Sequence, residues 1–137
     1  MPADVFSVTS FSELFREAVE CERQNLLRPE EPPRVPYVRQ RLEKCVGPIV
    51  AATDYMRAVS EQIRQWVPGR YVTLGTDGYG RSDSRAQLRK HFEVDRHFIV
   101  ITALKALAEE GKMDKATVAK AITTFGIDPS KPNPRLT

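Results

Sequence analysis

The sequence predicts an α/β domain in which a mostly parallel sheet is covered by helices. Three short apolar or β-branched runs, at residues 5–9, 49–53 and 71–74, are each followed by a segment with helical periodicity. Strand-to-helix units in series are typical of parallel sheets, because two parallel strands need a crossover connection between them. The last third of the chain, from residue 95 onward, carries only helical patterns and is predicted to be helical.

Length and composition predict one globular unit that spans residues 1–137. The net charge of +3 comes from basic residues interspersed with acidic ones, whereas a nucleic-acid surface needs clustered positive charge. The longest apolar stretch, residues 98–104, is too short to span a bilayer, and the N-terminus does not resemble a signal peptide. We therefore predict no nucleic-acid partner, no membrane and a cytoplasmic location.

The first unit is a predicted strand at residues 5–9 that runs into a helix. Ser10 and Glu13 have the spacing of a capping box. Apolar residues then recur three and four positions apart, as expected of a helix with one packed face. The four prolines between residues 28 and 36 rule out a regular element there. We interpret that segment as an extended, stiff surface loop. The alternative is that it docks on an aromatic groove of a partner.

The second and third units repeat this order. The run at residues 49–53 is a predicted strand, and Asp54 is placed to cap a helix whose apolar side runs from Met56 to Val67. The run at residues 71–74 is the next strand and enters a glycine-rich turn at residues 75–80. Ser84 and Gln87 then predict another capped helix.

Two further helices are predicted in the last third of the chain. Asp95 is placed to cap an apolar helix that runs to Glu110 and stops at Gly111. Asp114 opens a second helix, which ends at Gly126. The tail from residue 128 to residue 135 contains three prolines and cannot continue that helix.

The glycine-rich turn is similar to a phosphate-binding loop. Residues 75–82 read Gly-x-x-x-x-Gly-Arg-Ser after a predicted strand and before a predicted helix. Two residues oppose that interpretation, because Arg81 replaces the lysine that reaches the phosphates and the Asp77 carboxylate would repel them. A small anion- or nucleotide-binding module that uses Gly75 to Ser82 therefore stays open as the alternative function.

Charged and aromatic side chains are concentrated around the same turn. Side chains at the carboxyl end of a parallel strand lie where α/β sheets usually meet ligands or partners. We therefore predict an interface with a neighbouring domain or subunit, formed by Asp77, Tyr79, Arg81, Asp83 and Arg85. The alternative is that these residues only shape the turn and cap the helix that follows.

No catalytic, cofactor-binding or metal-binding residue is predicted in this chain. The sequence has no nucleophile elbow and no cysteine beside a histidine. Cys21 and Cys45 lack metal-ligand spacing and do not indicate a disulfide scaffold. His91 and His97 flank the start of the apolar helix, where packing or surface exposure is the usual explanation.

The residues around the turn also resemble a known family. The run Gly-Thr-Asp-Gly-Tyr-Gly-Arg-Ser-Asp-Ser-Arg at 75–85, followed by His-Phe-Glu-Val-Asp at 91–95, is similar to the C-terminal signature of the homodimeric bacterial pyruvate dehydrogenase first component. The similarity continues through Cys-Glu-Arg at 21–23, Thr-Asp-Tyr-Met at 53–56 and Asn-Pro-Arg-Leu at 133–136, so it covers essentially the whole chain. This family belongs to the transketolase superfamily.

The resemblance implies a parent oxidoreductase that uses thiamine diphosphate and magnesium. Such an enzyme decarboxylates pyruvate and acetylates the lipoyl group of an acyltransferase component. The family's diphosphate site needs a Gly-Asp-Gly segment and a later asparagine pair. Gly75 to Gly78 is not that segment and the only later asparagine is Asn133, so the resemblance places the cofactor outside this chain.

The same resemblance implies a transketolase C-terminal-like domain that is partial. Family members have another strand and helix before residue 5, so we expect a split or truncated product, or an engineered fragment, that lacks the first strand-helix unit. The implied partners are the remaining domains of the same enzyme, a second subunit of a homodimer and the lipoyl acyltransferase. The isolated chain is expected to form structural contacts and to be inactive.

Overall fold

The computed structural model of this chain describes residues 2–137. In chain order, its elements are α1 (Phe11–Leu27), α2 (Tyr37–Leu42), β1 (Ile49–Ala52), α3 (Arg57–Glu61), β2 (Tyr71–Leu74), α4 (Arg85–His91), α5 (Arg96–Glu109) and α6 (Lys115–Thr124). A single 3₁₀ turn, Arg64–Trp66, lies between α3 and β2. The predicted α/β class and the helical last third are confirmed.

The sheet consists of β1 and β2, which pair in parallel from Ile49 opposite Tyr71 to Ala52 opposite Leu74. The chain between them, with α3 and the 3₁₀ turn, is the crossover that a parallel pair requires. Because only these two strands pair within residues 2–137, each has one edge with no strand beside it.

The predicted strand at residues 5–9 is wrong. These residues are irregular and exposed, with Val5 at 93% of its maximal exposure and Phe6 at 46%. A β-branched run is stable as a strand only when a neighbouring strand pairs with its backbone groups. Neither β1 nor β2 pairs with this segment.

Helices α1 and α2 enclose the main core together with the crossover and β2. Ala18, Val38, Trp66 and Tyr71 are buried in this cluster. The indole Nε1 of Trp66 donates a hydrogen bond to Glu22 on α1 at 2.8 Å, so the polar edge of the largest core side chain is satisfied. Helix α5 packs against both strands and against α6, and buries Ala106 and Leu107 near its end.

Local capping signals in the sequence are mostly confirmed. Ser10, Ser84, Asp95 and Asp114 each accept a hydrogen bond from the first turn of the helix that follows. The predicted cap at Asp54 is wrong, because α3 begins only at Arg57 and ends at Glu61. The Asp54 carboxylate instead pairs with Arg89 of α4 at 3.0 Å.

The proline-rich segment has no regular element between residues 28 and 36, as predicted. The side-chain amide of Asn25 on α1 binds this segment through two hydrogen bonds. It donates to the Arg34 carbonyl at 2.9 Å and accepts from the Arg34 amide at 2.8 Å. Helix α2 follows directly and was not expected from the sequence. It begins after Pro36, the N-cap residue, which has a φ of −56° and a ψ of 143°.

Candidate functional site

The glycine-rich turn follows β2 at the carboxyl end of the sheet and is held there by the chain that follows β1. The Thr76 amide donates to the carbonyl of Tyr55 at 2.9 Å, and the Thr76 hydroxyl donates to the carbonyl of Asp54 at 2.7 Å. These bonds join the ends of the two parallel strands. The location predicted from the sequence for this turn is therefore confirmed.

Close packing explains two of the glycines in the turn. A Cβ atom on Gly75 would lie 2.5 Å from the amide nitrogen of Arg57, a distance that no side chain tolerates. Gly78 has a φ of +123°, and a Cβ there would lie 2.5 Å from the carbonyl oxygen of Pro134 in the C-terminal tail. The turn is thus packed between the start of α3 and the tail.

Asp77 faces inward and stabilises α3. Its Oδ1 accepts a hydrogen bond from the Arg57 amide at 3.1 Å, and its Oδ2 lies 3.1 Å from the Nε of Arg57. An N–H in the first turn of a helix has no partner within the helix, so a carboxylate there acts as a cap and interacts favourably with the helix dipole. The Asp77 carboxylate is therefore engaged within the chain.

The other four predicted interface residues are exposed. Tyr79 is 77% exposed. Arg81 and Asp83 are exposed between the turn and α4, and the exposed Arg85 is the first residue of α4. Neither Arg81 nor Arg85 forms an ion pair with any residue from 2 to 137. Asp83 accepts only from the amide of the next residue, Ser84. These side chains are free to contact a partner.

The turn does not have the geometry of a phosphate-binding loop. Such a loop needs free backbone amides that point into the space where the phosphates lie, at the start of a helix. Here α4 begins only at Arg85, five residues after Gly80, and the Asp77 carboxylate occupies the inner side of the turn. The Gly75–Ser82 motif therefore matches the pattern of a phosphate-binding loop in sequence only.

A lysine in the C-terminal tail contacts the end of α4, a relationship that the sequence did not reveal. The Nζ of Lys131 donates to the carbonyl of His91 at 2.6 Å and to Glu93 Oε1 at 3.0 Å. A cation at a helix C-terminus satisfies carbonyls that have no partner within the helix. Forty residues separate these groups in sequence, so no local pattern predicts this contact.

The two histidines are in different surroundings. His97 stacks on Phe125, the residue that follows α6, with ring centroids 4.8 Å apart, and its Nδ1 lies 3.5 Å from Asp95. Burial lowers the pKa of His91, and the positive charges of Arg81 and Lys131 lower it further. No cluster of three or more His, Cys, Asp or Glu side chains that could hold a metal ion is found among residues 2–137.

Large apolar side chains are exposed near the N-terminus and along α5. Val5, Phe6 and Val8 are exposed, as are Phe15 and Val19 of α1. Helix α5 is apolar around nearly its whole circumference, yet most of its side chains are only partly covered. A helix that is apolar on every side is normally buried within a larger structure. Apolar surface of this kind is typical of contact sites.

A search against protein-family models finds one that matches residues 1–95, described as the transketolase-like C-terminal domain. That stretch includes both strands, the glycine-rich turn and α4. The chain belongs to the transketolase C-terminal domain family. The similarity inferred from residues 75–85 and 91–95 is thereby confirmed at the level of the fold family.

Individual relatives match almost the whole of this transketolase C-terminal domain chain. It is 55% identical over 135 residues to the pyruvate dehydrogenase E1 component of Escherichia coli K12. The identity is 54% over 133 residues for the protein of that name from Pseudomonas aeruginosa and 53% over 132 residues for the one from Cupriavidus necator. These alignments cover 96–98% of this chain but only 15% of each relative.

The matched part is the C-terminal region of these relatives. It includes α5, α6 and the tail, which lie beyond the residues matched by the family model. The resemblance to the pyruvate dehydrogenase first component is therefore confirmed. Among residues 2–137, no helix is both long enough and apolar enough to cross a membrane.

Proposed function

We propose that this chain is the C-terminal part of a pyruvate dehydrogenase E1 component and acts there as a structural and interface domain. This proposal rests on the sequence identity of about 55% to the C-terminal region of enzymes of that name, which extends over nearly all of the chain. At this level of identity, the interface surfaces as well as the fold are expected to be shared.

The reaction of the parent enzyme is the decarboxylation of pyruvate with thiamine diphosphate and the transfer of the acetyl unit to a lipoyl acyltransferase. The cofactor supplies the carbanion chemistry of such a reaction. The residues of this chain do not fit the diphosphate and its magnesium ion. The carboxylate of the glycine-rich turn, Asp77, is bonded to Arg57, and no group of metal-ligating side chains converges within residues 2–137.

We propose that the domain is partial and is completed by residues that precede it in the parent. The segment 5–9 is irregular and exposed, and β1 has one edge with no strand beside it. An open edge of this kind is normally covered in a native protein. A strand-helix unit from the preceding chain would cover that edge and the apolar side chains of the N-terminal segment.

The exposed part of the glycine-rich turn is the second contact surface that we propose. Tyr79, Arg81, Asp83 and Arg85 extend outward from a turn that is fixed on both sides by α3 and the tail. A rigid turn with an exposed tyrosine and arginines is well suited to an interface, because these residue types contribute most to binding energy. We assign this surface to a neighbouring domain or the second subunit.

The partners in this proposal are the remaining domains, the second subunit of a homodimer and, through the assembled enzyme, the lipoyl acyltransferase. The names of the relatives, which denote a component of pyruvate dehydrogenase, support partners of this kind. The corresponding location is the cytoplasm.

Fragment complementation tests the proposal. The rest of the parent enzyme, ending where this chain begins, would be produced with and without the chain, and association and pyruvate decarboxylation would be measured. We expect the two pieces to associate and the chain to restore activity. If the shortened enzyme is equally active without the chain, or if the two pieces do not associate, the proposal is wrong.

A substitution at the turn makes this test specific to the surface. Tyr79→Ala should weaken association of the two pieces about tenfold or more, since buried interface tyrosines commonly cost at least 1.4 kcal/mol when truncated. Lys120→Ala on α6, which also removes an exposed side chain, is the control and should leave association unchanged. Equal effects of the two substitutions would exclude the turn as a contact surface.

A further inference from the structure

A cleft of about 460 Å³ lies between the end of the glycine-rich turn and α4. Arg81 and Ser82 line it from the turn, Gln87, Lys90 and His91 line it from α4, and Lys131 reaches it from the C-terminal tail. Its volume is within the range of small-molecule sites in proteins. Three separate segments of the chain thus converge on one concave surface.

The cleft has an excess of positive charge. Arg81 and Lys90 have no carboxylate partner within residues 2–137, and Lys131 adds a third cation. Glu93 partly neutralises Lys131, and Asp83 is the single carboxylate that lines the cleft. A concave surface with excess charge of one sign raises the local concentration of the opposite ion.

His91 adds an unsatisfied polar atom to the same place. Its Nε2 is shielded from solvent and has no hydrogen-bond partner within residues 2–137. Buried polar atoms in native proteins are nearly always paired, so an unpaired one needs an explanation. The charges that act on the ring are those of the cations Arg81 and Lys131 and the carboxylate Glu93, and the ring packs edge-on against Phe92.

We propose that this cleft binds a small oxyanion of the phosphate class, held by the guanidinium of Arg81 and the ammonium of Lys90. The guanidinium presents parallel N–H donors that match two oxygens of such an ion, and charge-assisted hydrogen bonds of this kind are the strong ones. Ser82 and Gln87 supply neutral donors at the edge. The site is distinct from the Gly75–Gly80 turn. Arg81 also belongs to the contact surface proposed above, so a bound oxyanion and a protein partner would compete for it, and the site is tested on the free chain.

The test is an NMR titration of the chain with inorganic phosphate at constant ionic strength, maintained with sodium chloride. We expect saturable shifts of the backbone amides of Arg81, Lys90 and His91. The pKa of the His91 imidazole should rise when phosphate binds, because the anion offsets the two nearby cations. Shifts that follow ionic strength alone, with sodium chloride as effective as phosphate, would overturn the proposal.

Matched variants separate a site from a general charge effect. Arg81→Ala and Lys90→Ala should each weaken phosphate affinity about tenfold, the loss expected for one charge-assisted hydrogen bond. Arg85→Ala removes the same charge from an exposed residue that does not line the cleft and should change affinity less than twofold. Equal losses for Arg81→Ala and Arg85→Ala would contradict the proposal.

Two further arms identify the ligand and guard against misfolding. Arg81→Lys keeps the charge and should restore part of the affinity lost in Arg81→Ala, a recovery that an unfolded variant would not show. A simple phosphate monoester that binds more tightly than inorganic phosphate would identify a phosphorylated metabolite as the ligand. Succinate that binds more tightly than either would overturn the proposal, because it would indicate a carboxylate from a protein partner.

Discussion

The ammonium of Lys131 lies 3.0 Å from Glu93 Oε1 and contacts the end of α4, while Glu93 itself has a φ of +62°. Glu93 is the residue that ends the helix in the left-handed conformation, and the amide of Val94 bonds back to the carbonyl of Arg89 at 3.0 Å. Glycine normally occupies this position. The backbone conformation of Glu93 is unfavourable for a residue with a side chain. The ion pair between Glu93 and Lys131 of the tail offsets part of that cost.

The two parts of that relationship can be separated by substitution. Glu93→Ala loses the ion pair and keeps the backbone cost, whereas Glu93→Gly loses the ion pair and removes that cost. We therefore expect Glu93→Gly to be more stable than Glu93→Ala by about 1 kcal/mol in urea unfolding. Glu110, with a φ of −83°, is the matched control. At that position, Glu110→Gly should be less stable than Glu110→Ala.

A second prediction concerns the carboxylate that caps α3. Asp77→Ala removes both the hydrogen bond to the Arg57 amide and the ion pair with its side chain. We expect a loss of about 1 to 2 kcal/mol in the free energy of unfolding, the range for a helix cap. Asp83→Ala, in the same loop, removes an exposed carboxylate bonded only to its neighbour. If it destabilises the chain equally, the capping role of Asp77 is wrong.

A third prediction compares two glycines of the turn. Gly78→Ala places a Cβ at a φ of +123° and against the carbonyl of Pro134, so the tail has to move. We expect a loss of at least about 1 kcal/mol from the backbone conformation alone, together with faster amide exchange around residues 133–136. Gly80 has open space around it and no positive φ. Gly80→Ala should therefore leave stability and exchange nearly unchanged.

A fourth prediction concerns acid stability. A hydrogen bond from Arg64 lowers the pKa of Glu61 to about 2 from an ordinary 4.5, with a further contribution from Thr73. Since the folded carboxyl binds its proton more weakly than the unfolded one, its stabilisation is complete above pH 4.5 and is lost as the pH falls toward 2. Because this side chain is 35% exposed, solvent screening keeps the contribution to about 1 kcal/mol or less.

Urea unfolding at a series of pH values between 5 and about 2 tests this prediction. Glu61→Gln should lower stability at pH 5 and flatten the decline between pH 4.5 and 2. Glu30→Gln, an exposed substitution in the proline-rich segment, should keep the decline of the unaltered chain. A Glu61→Gln profile parallel to that of the unaltered chain would exclude Glu61 as its source.

The sequence predicted the contacts in which both partners lie within one helical turn. Ser10, Asp95 and Asp114 cap the helices that follow them, because a side chain and an amide three residues apart meet in any helix start. The cap of α3 was misassigned to Asp54. The carboxylate that accepts from the first amide of α3 belongs to Asp77, twenty residues after Arg57 in the chain. Which carboxylate reaches a helix end is then decided by the tertiary fold.

The difference between local contacts and contacts set by the tertiary fold also explains the wrong strand at residues 5–9 and the parts of the candidate site that were not predicted. A β-branched run indicates that a strand is possible, but pairing depends on contacts outside the run, and neither β1 nor β2 pairs with residues 5–9. For the turn, the position at the end of β2 followed from the order of elements. The inward direction of Asp77 could not be predicted, because it depends on the contact with Arg57 at the start of α3. The packing of Gly78 could not be predicted either, because it depends on Pro134 in the tail.

The central claim is that this chain is a structural and interface domain, while the catalytic groups lie in the other domains of the parent enzyme. The most direct measurement is carbon dioxide release from pyruvate with thiamine diphosphate and magnesium, made on the chain alone and on the chain combined with the rest of the enzyme. We predict release only from the combination. Saturable decarboxylation by the chain alone, with the cofactor bound to it, would contradict the account.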